Sequence, residues 1–148
     1  VGRVPKTVDL DFETRDATKS VADRMNLRLG DKVIYMRRLR LADGVPMMLE
    51  RTYVPLSHFL GFTKKDLEGK SLYAIIENDY HETIRVAEEE FFATVARKDD
   101  AEVLGISEGA PVLQLSRVTY NDKNDVIEFT HSVARADQFK YKISHVRN

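Results

Sequence analysis

Val33-Ile34-Tyr35-Met36-Arg37-Arg38-Leu39-Arg40-Leu41-Ala42-Asp43-Gly44-Val45-Pro46-Met47-Met48-Leu49-Glu50-Arg51-Thr52-Tyr53-Val54-Pro55 is the stretch on which the fold turns. Two apolar-rich runs flank an Asp-Gly pair. The central residues of a tight hairpin turn take positive φ, which Asp and Gly tolerate, so Asp43-Gly44 predicts a β-hairpin. The first strand is expected over residues 31–41 and the second over 47–54, stopped by Pro55. Side chains alternate across a strand, so Arg38 and Arg40 share a face, about 7 Å apart. Ile34 and Met36 precede them on that face. Glu50 lies on the partner strand, in line with Met48 and Thr52.

Upstream, Val8, Leu10 and Phe12 alternate with Asp9, Asp11 and Glu13, the pattern of a half-buried strand. Residues 18–27 read as a short helix with Val21, Ala22, Met25 and Leu29 on its apolar side, ended by Leu29-Gly30-Asp31. Downstream, residues 56–69 are irregular, and 71–78 form a helix with Leu72, Ile75 and Ile76 turned inward. Residues 83–96 fit two templates: a helix through Ile84, Ala87, Phe91 and Val95, or a strand through Thr83, Ile84, Val86 and Phe91-Phe92. A short helix over 100–104 ends at Gly105. Strands over 112–120 and 126–134 are joined by Asn121-Asp122-Lys123-Asn124, a turn-forming set, and a last strand is expected over 139–145. Strands joined by hairpins, with helices interspersed, predict an α+β fold with an antiparallel sheet flanked by helices.

A chain of 148 residues with 43% hydrophobic content supports one domain, burying roughly 68–70% of its unfolded surface. It carries 23 basic and 24 acidic residues, a net charge of −1. Phosphate neutralisation drives nucleic-acid affinity, so this balance argues against direct DNA contact by the segment. With no cysteine, disulfides, thiolate catalysis and Cys-ligated zinc are excluded. No apolar run approaches the ~20 residues of a membrane-spanning helix. Val1-Gly2-Arg3-Val4-Pro5-Lys6 has no signal-peptide core, and the opening Val suggests a piece of a longer protein. A cytoplasmic protein is expected. His58, His81, His131 and His145 include no i, i+4 pair, and HExxH, GxGxxG, P-loop and GxSxG motifs are missing, so neither metal nor cofactor is expected.

Several side chains are candidates for binding. Two guanidinium forks on one rigid strand, at Arg38 and Arg40, can bracket a phosphate or carboxylate; the plainer reading pairs each with an acid. Glu50 can orient an arginine or accept from a ligand hydroxyl, and a structural salt bridge is the simpler reading. Ser71 opens the 71–78 helix, where free N–H groups favour an anion, although its hydroxyl is also an ordinary N-cap. Glu128, Thr130 and Ser132 form a polar row opposite Ile127, Phe129 and Val133, which suits a half-solvated sheet or a polar cleft. His131 lies on the apolar side and reads as a satisfied histidine rather than a base.

Five pieces in order resemble the UTRA domain. They are residues 33–46, the run Leu49-Glu50-Arg51-Thr52-Tyr53-Val54-Pro55, Ser71-Leu72-Tyr73, Ala110-Pro111-Val112-Leu113, and Val126-Ile127-Glu128 with Arg135-Ala136-Asp137-Gln138-Phe139. UTRA domains are the effector-binding halves of HutC-type GntR transcription regulators. The resemblance implies a chorismate-lyase-like fold, a homodimer, and a small anionic effector such as a sugar phosphate. It also implies that residues 1–148 form one effector-binding domain, with the winged helix-turn-helix that binds DNA outside this chain. By the same resemblance, Arg38 and Arg40 hold the effector's anionic group, Ser71 donates to it, and Glu50 and Glu128 take hydroxyls or amides. Ser132 joins this polar row, and Thr14 stands nearest to the position of a hydroxyl-rich segment found in many relatives. The sequence departs from the pattern at Ala134, where an aromatic residue is frequent, which widens the pocket there. A small chorismate-lyase-like enzyme and a dimerisation module with a vestigial pocket remain as alternatives; no acid/base pair stands out for the former.

Overall fold

The computed structural model describes residues 4–137 and Ser144. The strand expected over 139–145 otherwise lies outside the described residues. The chain runs β1 (Pro5–Asp16), α1 (Lys19–Met25), β2 (Lys32–Ala42), β3 (Val45–Pro55), α2 (Leu72–Ala74), β4 (Ile84–Val95), α3 (Lys98–Leu104), β5 (Pro111–Asn121) and β6 (Val126–Arg135). The strands form one six-stranded sheet in the order β1-β2-β3-β6-β5-β4, and every neighbouring pair is antiparallel. The expected α+β class and antiparallel sheet are therefore observed.

The β2–β3 hairpin turns at Asp43 (φ 49°) and Gly44 (φ 77°), both in the left-handed region that the Asp-Gly pair predicts. β2 begins and ends one residue later than expected, β3 extends beyond its expected limits at both ends, and Pro55 is the last residue of β3 rather than its stop. Thr18 caps α1, its hydroxyl accepting from the Val21 N–H at 3.4 Å. Asn26 ends that helix in the left-handed conformation. Leu29 therefore falls beyond the helix, and at 74% exposure it is not part of the apolar side. Residues 83–96 take the strand alternative, as β4 on the outer edge of the sheet. A strand there satisfies its backbone by pairing with β5 from Ile84 to Val95, and that pairing decides between the two templates.

Two irregularities correct the simple alternation. A β-bulge between Asp9 and Asp11 sends Leu10 to one side of the sheet and Phe12 to the other. Likewise Ile127 packs with Ile34 and Val54, not with Phe129 as alternation suggested, because the β5–β6 register shifts at Thr119/Tyr120. An extra residue flips the downstream side chains, which a pattern of two cannot register.

The sheet separates two layers. On one side α1 packs Val21, Ala22 and Met25 over Val33 and Phe129, and α3 packs Ala101 and Leu104 over Leu49 and Val133. On the other side residues 56–82 cover the sheet with two 3-10 turns, Leu56–His58 and Lys64–Leu67, then α2 and a π-helical turn, Ile75–Asp79. The helix expected over 71–78 is thus present but widened. Its Leu72, Ile75 and Ile76 do turn inward, joining Phe59, Phe62 and Leu67 over Ile34, Met36 and Val54. The far end of this segment is clamped to the β5–β6 turn. Glu82 accepts from His58 at 2.9 Å and from the Asn121 amide at 3.0 Å. Burial opposes its charge, but these two hydrogen bonds outweigh it and hold the Glu82 carboxyl below the usual carboxylate range.

Candidate functional site

The register places side chains from different strands in rows across the face that residues 56–82 cover only in part. Arg38 stands opposite Glu50, Glu50 opposite Ser132, and Ser132 opposite Leu115. One rung along, Met36, Thr52, Thr130 and Arg117 line up in the same way. With strands about 4.8 Å apart, these rows make a polar patch some three strands wide.

At the β1–β2 end the patch opens into a cleft of about 550 Å³, lined by Thr7, Asp9, Arg38 and Arg40 from the sheet and Leu67, Glu68, Gly69, Lys70 and Ser71 from the overlying segment. Arg38 is only 7% exposed. Its Nε lies 3.3 Å from Asp9 Oδ1, yet neither atom has a hydrogen-bond partner among the described residues. Arg40 donates to Glu50 Oε1 at 3.1 Å and to Thr7 Oγ1 at 3.1 Å. Lys70 reaches the Asp79 carboxylate at 3.0 Å. Ser71 Oγ accepts from the Ala74 N–H at 3.1 Å, the ordinary N-cap, and keeps its own proton to donate.

Of the sequence candidates, Arg38, Arg40 and Ser71 line this one cleft, with Glu50 beside it as the partner of Arg40. Ser132 is buried next to Glu50, deeper in the patch. Thr14 is set apart: it is exposed and pairs with Ile34, four positions from Arg38 along β2. Glu128 is fully buried and its oxygens are already engaged. Thr119 and Thr130 hydroxyls each donate to it at 2.6 Å, Arg117 NH2 donates at 2.5 Å, and the Tyr73 hydroxyl lies at 3.4 Å. The expected acceptor for ligand hydroxyls is thus occupied by the protein itself, and it fixes Arg117.

Arg117 escaped the sequence reading. Burial works against its charge, but the hydrogen bonds and negative charge of Glu128 dominate and raise its pKa further. Its guanidinium also lies 5.1 Å from the centre of the Tyr73 ring, a cation–π distance. Burial and the Glu128 charge push the Tyr73 hydroxyl pKa up, so it remains a neutral donor. The signal was the 121–124 turn: folding residues 112–120 against 126–134 about it sets Arg117 opposite Thr130, on the face of Glu128. Asp9, Lys70 and Tyr73 gave no comparable signal, because a bulge and an irregular segment place them. On the opposite face His131 is half-buried beside Gln114 Oε1 at 3.4 Å, far from the cleft, as a satisfied histidine should be.

A cleft floored by two strand arginines and walled by a Lys-Ser loop offers several hydrogen-bond donors, with Asp9 and Glu68 among them as acceptors. Comparison with known proteins places it in a family. The family model described as the UTRA domain matches residues 1–140. This chain belongs to the UTRA family. It is 29% identical over 140 residues to the HTH-type transcriptional repressor NagR of Bacillus subtilis (strain 168), covering 95% of this chain and 57% of the relative. It is 28% identical over 142 residues to the HTH-type transcriptional regulator GmuR of the same organism, covering 96% and 60%. The chain thus spans less than two thirds of the length of these relatives. Among solved structures, the ligand-binding domain assigned to a GntR-family regulator of Bordetella bronchiseptica superposes with a TM-score of 0.88 at 25% identity, covering 99% of this chain and 91% of that one. This UTRA domain therefore shares its fold with the effector domains of GntR-family transcription regulators, and the relatives compared are regulators rather than enzymes.

Proposed function

We propose that this UTRA domain senses a small anionic metabolite, of the sugar-phosphate class or similar, in the cleft between Arg38, Arg40 and Ser71. The observation that carries the reading is Arg38. Arg38 is nearly enclosed yet lines an open cleft; its Nε is sealed beside Asp9, its one charged partner among the described residues, which leaves the outer nitrogens of the fork for a ligand. A bound phosphate or carboxylate supplies the acceptors, in the forked geometry that arginine matches best. Arg40 and Lys70 add positive charge at the rim, and the free Ser71 proton adds a donor.

In this reading the domain works in the cytoplasm as a homodimer and serves a winged helix-turn-helix carried elsewhere in the same protein. The effector binds one arrangement of the domains better than another, and that difference in affinity shifts the spacing of the DNA-binding heads. A ligand with equal affinity for both arrangements regulates nothing.

Thermal unfolding against a panel of phosphorylated sugars, amino acids and organic acids tests it. Ligand at 100 times its Kd adds about 2.7 kcal/mol, a shift of several degrees for a domain of this size. The expected result is a selective hit that Arg38→Ala abolishes and that is recovered chemically unchanged. A flat panel on folded protein contradicts the reading, and turnover of the hit transfers it to a lyase-like enzyme.

A further inference from the structure

The cleft between β1, β2 and the 67–71 loop is not a plain cationic pocket. Arg38 lies beside Asp9, Arg40 donates to Glu50, and Lys70 reaches Asp79, so each cation is already matched by an acid. Glu68 lines the same cleft, and its side chain has no ion pair or hydrogen bond among the described residues. A ligand that brought only negative charge would therefore add to a cleft whose positive charge is spoken for.

Asp9 is the acid set into the floor, and the bulge after it decides its place. Thr7 stays in register with Arg40 and Asp9 with Arg38, on the cleft face. Beyond the bulge Phe12 takes that face, beside Met36 and edge-on to Phe62, while Asp11 holds Arg37 at 2.6 Å. Asp9 Oδ1 is sealed 3.3 Å from Arg38 Nε without a hydrogen bond. The Asp9 side chain still keeps 26% of its exposure. Its second oxygen, Oδ2, has no partner among the described residues and is the one left for a ligand.

A guanidinium fork and a carboxylate set side by side suit a zwitterion. An anion held by the outer nitrogens of Arg38 sits next to the Asp9 carboxylate, and two like charges on one guanidinium repel. A protonated amine near that anion turns the repulsion into a charge-assisted hydrogen bond to Asp9 Oδ2. Glu68 offers a second acceptor, and Ser71 keeps its own proton for the anion. The 3.3 Å between Asp9 and Arg38 makes the two ligand groups close neighbours. They fit on one carbon, as in an α-amino acid, or across two carbons, as in an aminoethyl phosphate.

We propose that Asp9, assisted by Glu68, is the specificity-determining residue of this cleft and selects an effector that carries a protonated amine next to its anionic group. The inference rests on the proposed anion-sensing cleft and narrows its ligand.

Isothermal titration calorimetry of the full chain with matched probes tests this. One series pairs L-α-amino acids with the L-α-hydroxy acids of the same side chain: alanine with lactate, aspartate with malate, phenylalanine with phenyllactate. The other pairs phosphoethanolamine with hydroxyethyl phosphate. In one series the amine is expected to bind about tenfold or more tighter than its hydroxyl counterpart, and which series does so tells a carboxylate source from a phosphate one. Asp9→Asn removes most of that preference, weakening the amine and tightening the hydroxyl probe, with circular dichroism and Tm confirming the fold. Glu68→Gln, at an exposed residue, lowers the preference about threefold with Tm unchanged, and it carries the test should Asp9→Asn fail to fold. Equal or tighter binding of the hydroxyl probes to wild type overturns the inference and leaves the anion-sensing cleft standing. A preference for the amine that survives in both variants overturns the roles of Asp9 and Glu68. Silence of every probe overturns the inference too; the cleft itself falls only if the wider panel of phosphorylated sugars and organic acids is also flat.

Discussion

In the proposed reading, Arg38 joins stability to function in one residue. Taking a guanidinium out of water costs several kcal/mol unless charge and hydrogen bonds replace the lost solvent. Asp9 supplies the charge at 3.3 Å, but not a hydrogen bond to Nε. Arg38→Lys is expected to leave the fold intact while weakening anion binding, because an ammonium cannot form the two parallel bonds of the fork; equal affinity in the two proteins would count against the site. Glu128 is the complementary case, with every strong donor around it satisfied. Glu128→Ala strands Arg117 and two threonine hydroxyls, and because the Arg117 side chain keeps 33% of its exposure it can recover part of its hydration. The expected loss is about 2–3 kcal/mol rather than the full cost of breaking a buried pair, read as a fall in denaturation midpoint. His131 bears on pH. Burial, then the positive charge of Arg51, hold its pKa below the ordinary histidine value of about 6.5. The unfolded chain then binds the proton more readily than the folded one. Its contribution to stability is complete above about pH 6.5 and declines as pH falls below it. Tm measured from pH 7.5 to 5 should fall less steeply in His131→Gln than in wild type; parallel curves would show that His131 does not titrate in this way.

At the scale of elements, the layer of residues 56–82 positions one wall of the cleft although it holds little regular structure. Its anchor is Phe59, which has no exposed surface and packs at a tilt against Phe62 and edge-to-face against Tyr80. Phe59→Ala should cost about 3–5 kcal/mol by transfer and cavity terms, and it should weaken effector binding as well, since Lys70 and Ser71 hang from the same layer. Loss of stability with unchanged affinity would show that the wall is positioned by other contacts. These elements also mark what could be read in advance. The hairpin with Arg38, Arg40 and Glu50, the Ser71 cap and the polar row on β6 followed from turn chemistry and alternation, both local properties. The bulges at Asp9/Asp11 and Thr119/Tyr120 did not, because an extra residue in a strand leaves no trace in composition. The pairing of Glu128 with Arg117 needed the register of two strands at once. Residues 83–96 stayed ambiguous because apolar residues recur there at both periods, and only the sheet's need for a partner to β5 decides between them.

Over the whole molecule, the sheet divides the labour. One face packs α1 and α3 and serves stability; the other is left partly uncovered and gathers the charge. The net charge of −1 conceals this arrangement: Arg38, Arg40 and Lys70 converge on one cleft, each held by an acid at or beside it, Asp9, Glu50 and Asp79. In the proposed reading, a ligand in that cleft would bridge β2 and the 67–71 loop, which belong to different layers, and a preference for one spacing of these layers would give it a route to the rest of the protein. The most direct test of the account is isothermal titration calorimetry of the best phosphorylated ligand from the thermal panel, against wild type and a folded Arg38→Ala variant. The account predicts a loss of about 2 kcal/mol or more, roughly thirtyfold in affinity. Equal affinity in the two proteins would contradict it and move the effector away from the β1–β2 cleft.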